Sequence, residues 1–345
     1  MKHTVALVGA LMAVAALGGV EPVDWVDPFI GTSGTGHTHP SATCPFAMLQ
    51  AGPTTGDEGW ENCSGYRHEA TSILGYSLTH LSGTGCLDAG DVRMLPFTGE
   101  IRPLPMRAAI DKRSERATPG YYHVVQDEDG IEVRITATER AALYRLKMLK
   151  EGPMRILLDL PSAHGCPFTS DAAVTTEKSA RVFGQYRRYG WIQNRIIAFD
   201  FRFSREWSDL RELPRRSSSS APRMVLTFPC KRGETLFVKV GLSMTDAAHA
   251  ASNLEAEIPA WDFDGVRSAA RAKWNALLGR ATCEGTDDQK RIWYTAAYHM
   301  YVQPNDYSDH GEKPYYTTLS LWDTFRATHA WYTLATPEIV EPTID

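Results

Sequence analysis

The apolar positions along the chain change their period near residue 259. Before that point, short β-rich runs are separated by Gly and Pro, and several alternate strictly between apolar and polar, as in 131–135, IEVRI. This alternation predicts strands with one buried and one wet face. The predicted strands cover 121–125, 131–138, 142–148, 155–159, 180–186, 196–203, 224–228 and 235–242.

These strands follow one another without long helical patterns between them. Eight or more such strands predict two packed sheets, because each sheet needs a partner for its apolar face. The segment 211–222, with its serine run at 217–220, predicts an exposed loop. We therefore predict an N-terminal antiparallel β-sandwich over residues 21–255.

After residue 259 the apolar period becomes helical. Segment 259–280 carries apolar residues at helical spacing and predicts a linker helix within 256–282. In 286–303, Thr286 and Gln289 form a capping-box pattern ahead of a second helix. A polar loop over 304–314 joins this helix to a third pattern, so residues 283–345 are predicted to begin a helical domain.

The third pattern, 316–331, reads YTTLSLWDTFRATHAW and combines a helical period with a candidate sugar-binding pair. Its apolar residues fall near the 3.6-residue period of a buried helix: Leu321, Trp322, Phe325, Trp331 and Leu334. The indole of Trp322 beside the carboxylate of Asp323 suits a sugar, which offers C–H faces for stacking and hydroxyls for hydrogen bonding. In the alternative interpretation, Trp322 is core and Asp323 is a helix-start charge paired with Arg326.

Composition narrows the class of protein. The 345 residues are 43% hydrophobic and 22% charged with a net charge of −5, which is typical of a globular protein of about two domains. The mild acidity argues against nucleic acid or an anionic membrane as a partner. Six cysteines without a C-x-x-C pair leave disulfides and free thiols open and argue against a zinc ribbon.

The N-terminus predicts export. Lys2 precedes an apolar run over 5–17 and small residues follow, so residues 1–20 are predicted to be a secretory signal. The run is too short to cross a bilayer, and the rest of the chain has no segment approaching the ~18 apolar residues of a membrane span. The predicted location is periplasmic or extracellular.

Segment 27–91 is dense in Gly, His, Thr and aromatic residues, and ordered loops of this length are usually functional. Its G-x-G steps lack the strand-to-helix context of a phosphate-binding loop. His37 and His39 are either metal ligands or ordinary hydrogen-bonded side chains. Asp88 and Asp91 are either the paired carboxylates of a glycosidase or a solvated turn.

Four blocks in this order resemble glycoside hydrolase family 92, the calcium-dependent exo-α-mannosidases. They are DPFIGTSGTGHTHPSATCPFAM at 27–48, SGYRH at 64–68, THLSGTGCLDAGD at 79–91 and LWDTFRATH at 321–329. The resemblance covers the chain from about residue 23 to its end. It implies a β-sandwich, a helical linker and an (α/α)6 barrel, with the active site at the domain junction and mannose-containing glycans as substrates.

The resemblance also implies a mechanism and a set of site residues. It implies hydrolysis with inversion, and a Ca²⁺ ion that holds the O2 and O3 hydroxyls of mannose. The implied substrate-binding residues are Trp322 and Asp323, followed by Gly36, His37, Trp60 and Asp88.

Family members are longer than this chain, and their acid, base and Ca²⁺ ligands follow the LWDTFR block. We therefore expect no catalytic residue and no metal ligand before Asp345, an incomplete barrel, and a chain that is inactive by itself. The competing hypothesis is a non-catalytic carbohydrate-binding or structural β-sandwich.

Overall fold

The structure is a computed structural model that describes residues 19–165, 168–215, 217–317 and 319–344. The predicted secretory signal lies almost entirely outside these ranges. The chain forms antiparallel strands first and helices afterwards, as the change of period predicts.

The strands are short at the start of the chain and longer after residue 108. They are β1 (Gly52–Thr54), β2 (Ser72–Ile73), β3 (Gly75–Ser77), β4 (Arg93–Phe97), β5 (Ala108–Thr118), β6 (Tyr121–Gln126), β7 (Ile131–Ala137), β8 (Ala141–Met148), β9 (Met154–Asp159), β10 (Thr169–Glu177), β11 (Arg181–Arg188), β12 (Arg195–Phe203), β13 (Asp209–Leu213), β14 (Arg223–Phe228) and β15 (Thr235–Ser243).

The helices follow the last strand. They are α1 (Ala247–Glu257), α2 (Phe263–Leu278), α3 (Asp287–Val302), α4 (Leu321–Thr324), α5 (Thr328–Ala335) and α6 (Val340–Ile344). Short 3₁₀ turns occupy Pro22–Trp25, Trp60–Asn62 and Pro337–Ile339.

Two antiparallel sheets pack face to face. One has six strands in the order β1-β3-β4-β9-β14-β13, and the other has nine in the order β10-β11-β12-β15-β8-β7-β6-β5-β2. Alternate side chains of both sheets meet in one fully buried core, for example Leu146, Ile156 and Phe199. The prediction of two packed sheets is confirmed, and each of the eight predicted runs is a strand.

Several of the strands that the pattern missed are rich in polar residues or lie at a sheet edge. β5 contains the charged run DKRSER and an irregular register between Asp111 and Arg116. β10 and β13 end their sheets, and β10 is mostly exposed. The predicted loop over 211–222 is wrong for its first residues, because β13 runs to Leu213.

Helices α1 and α2 cover the outer face of the nine-stranded sheet. Leu254, Ile258 and Phe263 pack there against Tyr121 and Leu143. The prediction missed α1 because its sequence, AAHAASNLEAE, has few large apolar residues, and it included most of the region in the β-sandwich domain. The prediction for α2 is confirmed, and the capping box of Thr286 and Gln289 starts α3 as expected.

A second core joins the helices to the start of the chain. Trp274, Tyr298, Tyr301 and Tyr332 are buried in it together with Val23. The indole N–H of Trp274 donates to the carbonyl of Thr43 at 2.6 Å, which ties α2 to a sandwich loop. This core holds the helical part in one orientation against the loops of the sandwich.

The stretch 316–331 departs from its prediction. It forms the four-residue helix α4 and a separate α5, with a break between them. The prediction that its apolar residues are buried is wrong for Leu321, Trp322, Phe325 and Leu334, which are 54%, 84%, 57% and 81% exposed. More than half of each of these side chains faces solvent, so the apolar face that the helical period predicts is not covered by the described residues.

Two further predictions concern the cysteines and the membrane. The five cysteines in the described ranges are free thiols, and Cys166 lies outside those ranges. No helix in the described part of the chain combines the length and the apolar composition needed to cross a bilayer.

Candidate functional site

A pocket lies where the sandwich loops meet the helical region. Ser82 and Thr84 line it from the sandwich, and Gln303, Pro304, Thr317, Leu319, Ser320, Leu321, Asp323, Thr324, His329 and Thr343 line it from the helical side. We call it the junction pocket. The side-chain amide of Gln303, with its nitrogen facing the Ser82 carbonyl, donates to that oxygen at 3.1 Å and accepts from the Ser82 N–H at 3.2 Å. Tertiary contact thus brings the LWDTFR block against the Gly-rich loops.

Asp323 stands in the wall of the junction pocket. The hydroxyl of Ser320 donates to its Oδ2 atom, and its own N–H donates to the Ser320 carbonyl at 3.1 Å. The Arg326 guanidinium lies 5.6 Å from the centroid of the Phe325 ring. In the described ranges Arg326 makes no ion pair with Asp323, and no protein donor reaches Oδ1. The carboxylate therefore has one oxygen held locally and one available to a ligand.

Trp322 does not line the junction pocket, and its side chain is 84% exposed. The structure therefore brings Asp323, and not its neighbour, to the sandwich loops. In the alternative interpretation Trp322 was a core residue, which this exposure contradicts.

His37 and Trp60 meet beside the same loop. Their rings are perpendicular, with centroids 4.6 Å apart and an interplanar angle of 78°. A Cβ atom at Gly85 would lie 2.9 Å from the Trp60 indole nitrogen, so the loop backbone approaches the indole closely. The Gly83 N–H donates to the His37 carbonyl at 2.7 Å. Loop 82–85 thus connects this pair to the junction pocket.

Several buried polar atoms of these loops lack protein partners within the described residues, among them the Nε2 atom of His39. The Nε2 atom of His37 and the hydroxyl of Thr84 are buried, and neither has a hydrogen-bond partner within the described residues. Buried polar atoms are nearly always hydrogen-bonded, so such exceptions point to a bound water or ligand. Both atoms can bond to a hydroxylated ligand. Thr84 was not predicted as a site residue, because a lone Thr in a loop carries no sequence signal.

Gly36 has a packing role next to His37. A Cβ atom at this position would lie 2.0 Å from the Gly31 carbonyl oxygen, which only glycine avoids. His37 follows with a φ of 55°, a left-handed conformation that is uncommon for a residue with a side chain. The tight turn over 31–38 therefore aims the imidazole, and Gly36 contributes backbone shape.

Asp88 is enclosed by protein donors. Its Oδ1 atom accepts from the Ala89 N–H at 2.6 Å and from Arg195 at 3.0 Å, and its Oδ2 atom accepts from the Ile192 N–H at 2.7 Å. The side chain is 3% exposed. The substrate-binding role predicted for Asp88 does not fit this geometry, because both carboxylate oxygens already accept hydrogen bonds from protein groups.

Asp91 belongs to the same buried network. It accepts from Arg188 at 3.0 Å and from Arg195 at 2.9 Å. Burial acts to raise the pKa of the Asp91 carboxyl, but the two guanidinium groups outweigh burial and lower it. Asp88 and Asp91 are therefore neither a solvated turn nor an open pair of glycosidase carboxylates.

Three histidines pack in a row beneath these loops. The ring centroids of His39 and His80 are 5.1 Å apart, and those of His80 and His164 are 5.4 Å apart. Burial lowers the pKa of all three, that of His80 to about 4. They are therefore neutral near pH 7. His39 is two residues from His37, and His80 is two residues from Ser82, so the row supports both loops.

One cluster of His and acidic side chains, among the described residues, invites comparison with a metal site. The single group of His and acidic donor atoms close enough to share an ion, among these residues, is His249, Asp309 and Glu312. Ca²⁺ prefers 6–8 oxygen ligands, roughly. The Asp309 oxygens already accept from Asn253 at 2.7 Å and from Ser243 at 3.1 Å, and His249 pairs with Asp246. This cluster therefore fits a structural network rather than calcium.

A sandwich whose loops present an indole, an imidazole and a hydroxyl at the edge of a helical region fits a two-part protein that acts on carbohydrate. Comparison with known proteins then identifies the family. The chain belongs to glycosyl hydrolase family 92, because residues 25–243 match the family's N-terminal domain and residues 249–345 match its catalytic domain.

Solved structures share the fold. A family 92 α-mannosidase from Bacteroides thetaiotaomicron superposes with a TM-score of 0.86 and 28% identity, over 94% of this chain and 49% of its own. The same relative in complex with mannoimidazole gives a TM-score of 0.86 over 93% of this chain and 47% of its own. An inverting mannosidase from Bacteroides thetaiotaomicron has a TM-score of 0.83 at 23% identity, over 95% of this chain and 48% of its own.

A curated relative is an uncharacterized secreted glycosidase of Arthroderma benhamiae. It is 26% identical over 346 residues, which cover 84% of this chain and 42% of the relative. The chain thus spans about half the length of the relatives it matches, 42% to 49% of each.

Proposed function

We propose that this chain provides the sandwich wall and the first helices of an exo-acting α-mannosidase that releases mannose with inversion. Family membership supports glycoside hydrolysis, and a relative that is 28% identical is an α-mannosidase. A structure of that relative contains mannoimidazole, which supports mannose-containing glycans as the substrate class.

The observation that carries the proposal is the group of polar side chains in and beside the junction pocket. Thr84 and Asp323 line the pocket, His37 lies beside the adjoining loop, and His37 Nε2 and Thr84 Oγ1 are buried without partners in the described ranges. A pyranose hydroxyl can donate to the carboxylate and exchange hydrogen bonds with the other two groups. Trp60 is 58% exposed and offers an indole face to the C–H side of the ring.

In this proposal, the described side chains bind and orient the sugar. Inverting hydrolysis needs an acid at the leaving oxygen and a base for water, about 6.5–9.5 Å apart. Asp88 and Asp91 cannot supply this pair, because Arg188 and Arg195 hold them in a buried network. We assign the acid, the base and the Ca²⁺ ligands to further parts of the catalytic domain, and α3–α6 to the beginning of an (α/α)6 barrel.

The proposal includes export. The signal pattern at residues 1–20 and the description of the Arthroderma benhamiae relative as secreted support a periplasmic or extracellular protein. The competing function is a non-catalytic carbohydrate-binding or structural sandwich. The enclosed state of Asp88 and Asp91 favours that function if the chain acts by itself.

The test compares Asp323→Ala with Asp288→Ala in a protein in which this chain is continued to the length of its relatives. Charge-assisted hydrogen bonds contribute about 1.5–3 kcal/mol each, so loss of the Asp323 contact should lower kcat/KM for an aryl α-mannoside by ~10²-fold. Asp288 is an exposed acid in the first turn of α3, as Asp323 is in α4, and its substitution should leave kcat/KM unchanged.

The same assay separates the alternatives. The 345-residue chain alone should show no turnover, with or without Ca²⁺, because losing an acid or a base costs about 10²–10⁴-fold each. If Asp323→Ala keeps nearly full activity while its Tm falls, Asp323 belongs to the scaffold. If the extended protein binds mannose but never hydrolyses the aryl mannoside, the non-catalytic function replaces the proposal.

A further inference from the structure

An exposed aromatic cluster lies on the hairpin between β11 and β12. Tyr189 and Trp191 are 38% and 42% exposed, and Phe168, from the neighbouring strand's start, is 57% exposed. The Phe168 and Tyr189 ring centroids are 5.9 Å apart. Exposed apolar residues scattered singly need no explanation, whereas adjoining ones such as Phe168 and Tyr189 mark contact sites. Trp191 lies two positions after Tyr189 in the same hairpin. We call Phe168, Tyr189 and Trp191 the hairpin patch.

The protein holds the hairpin in place. The Ile192 N–H donates to Asp88 at 2.7 Å, and Arg195 at the start of β12 donates to both Asp88 and Asp91. A Cβ atom at Gly190 would lie 2.8 Å from Asp88 Oδ2, so the backbone on both sides of Trp191 lies against this carboxylate. A surface that is already ordered loses less entropy when it binds a ligand.

Asp88, the residue that anchors the hairpin, lies in the same loop as two residues of the junction pocket. Ser82 and Thr84 line that pocket, and Asp88 follows six residues after Ser82 in the same loop. A chain extends at most ~3.6 Å per residue, so the anchor lies within about 22 Å of Ser82. The sandwich wall of the junction pocket and the anchor of the hairpin thus belong to one loop.

The exposed area and the local charge of the hairpin patch indicate which kind of ligand it can bind. Aromatic side chains bury about 150–250 Å² each when fully covered, so three rings at this exposure offer about 300 Å². A stable protein interface needs about 800 Å² per partner, which is well above that. Arg187 beside the patch donates to Asn194 at 3.0 Å and lies 3.5 Å from Asp171, so its charge is already compensated. A small, neutral ligand with apolar C–H faces fits best.

We propose that the hairpin patch binds the inner sugar residues of a mannose-containing glycan whose terminal residue occupies the junction pocket. This inference rests on the proposed function for the choice of sugar. Asp88, which the sequence suggested as a sugar ligand, acts here as the anchor that positions the hairpin.

The test is electrophoresis of the 345-residue chain through gels that contain soluble α-mannan. Wild-type protein should be retarded, and Trp191→Ala should bind about five-fold more weakly, since an aromatic contact contributes about 0.5–1.5 kcal/mol. Trp261→Ala is the matched control, because Trp261 is 38% exposed but lies on the linker, 4.9 Å from the Lys239 ammonium. It should be retarded like wild type. Tyr189→Ala is the second patch variant, and near-UV circular dichroism shows that each variant is folded.

Each result either supports or overturns the binding of a glycan by the hairpin patch. Wild type that runs unretarded, or patch variants that are retarded fully, would overturn it. Sedimentation that shows a dimer broken by Trp191→Ala, with no effect of mannan, would assign the patch to a second copy of the chain instead. Asp323→Ala separates the two proposals: retention that depends on Trp191 and not on Asp323 supports the patch even if aryl α-mannosides are not hydrolysed.

Discussion

The sandwich and the last helices use similar apolar side chains with opposite results. In the sandwich, Phe199 and its neighbours are 0% exposed, because each sheet finds its partner within the described chain. In α4–α6 and the turns between them, Trp322, Phe325, Leu334 and Ile344 are 57% to 84% exposed. A local apolar period therefore predicts which face needs cover, and tertiary structure decides whether that face is covered.

At the junction between the sandwich and the last helices, well-packed and exposed apolar side chains occur side by side. Phe46 from a sandwich loop is surrounded by the rings of Tyr301, Tyr316 and Tyr332, at 5.6–6.0 Å between centroids. These ring contacts join the sandwich loop to the helical region. The helical wall of the junction pocket includes α4, whose large side chains are exposed.

The largest expected effect contrasts two phenylalanines. Phe199→Ala should destabilise the chain by about 3–5 kcal/mol, because it opens a cavity in the fully packed core. Phe325→Ala should change stability by less than about 0.5 kcal/mol, because the side chain is 57% exposed. Urea unfolding followed by tryptophan fluorescence measures both. Equal losses would show that α4 is as well packed as the sandwich.

The next effect is a pH dependence that arises beneath the site. Burial lowers the folded-state pKa of His39, His80 and His164 below the unfolded value near 6.5. The unfolded chain then binds more protons than the folded chain below about pH 6.5, so stability falls as the pH falls. Each histidine contributes a slope of up to about 1.4 kcal/mol per pH unit. For His80, with a folded pKa of about 4, the total loss is about 3 kcal/mol by pH 4.

This dependence is measured by urea unfolding at pH 7.0, 6.0 and 5.5, roughly the window above carboxylate titration. His80→Gln should reduce the slope, and His310→Gln, an exposed histidine outside the row, should keep it. A wild-type stability that is flat over this window would contradict the neutral state of the three imidazoles.

The smallest energetic effect belongs to the exposed helical faces. Adjoining apolar side chains at the surface bind hydrophobic dyes, so the chain should enhance dye fluorescence or aggregate. Trp322→Ser combined with Leu334→Ser should reduce the dye signal while the free energy of unfolding changes by less than about 0.5 kcal/mol each. Ile292→Ser is the control, because Ile292 is also exposed, at 66%, but lies on α3 and not on α4 or α5. A dye-silent, monodisperse wild type would contradict this prediction.

The fold was predictable wherever apolar and polar residues alternate strongly. All eight predicted runs are strands, and the cap signal of Thr286 correctly marked the start of α3. β5, β10 and β13 were missed, since charged or edge strands carry no such alternation. Helix α1 was missed because its alanines fit several environments.

The site was predictable in part. The sequence pointed to His37, Trp60 and Asp323, and the structure places all three beside loop 82–85 or the junction pocket. Asp88 was assigned to the sugar because a carboxylate in a Gly-rich loop has the right chemistry. Its partner Arg195 lies 107 positions further along the chain, and no local pattern reveals that pairing.

Local stretches of sequence were enough to predict the order of strands before helices, the capped start of α3 and the motif blocks that identify the family. These depend on local period, on short-range hydrogen bonds and on residue identity, all of which are present in one stretch of chain. The tertiary structure decided the burial of Asp88, the exposure of Trp322 and the meeting of Asp323 with loop 82–85. Burial and charge pairing depend on groups that are distant in sequence, so only the folded chain brings them together.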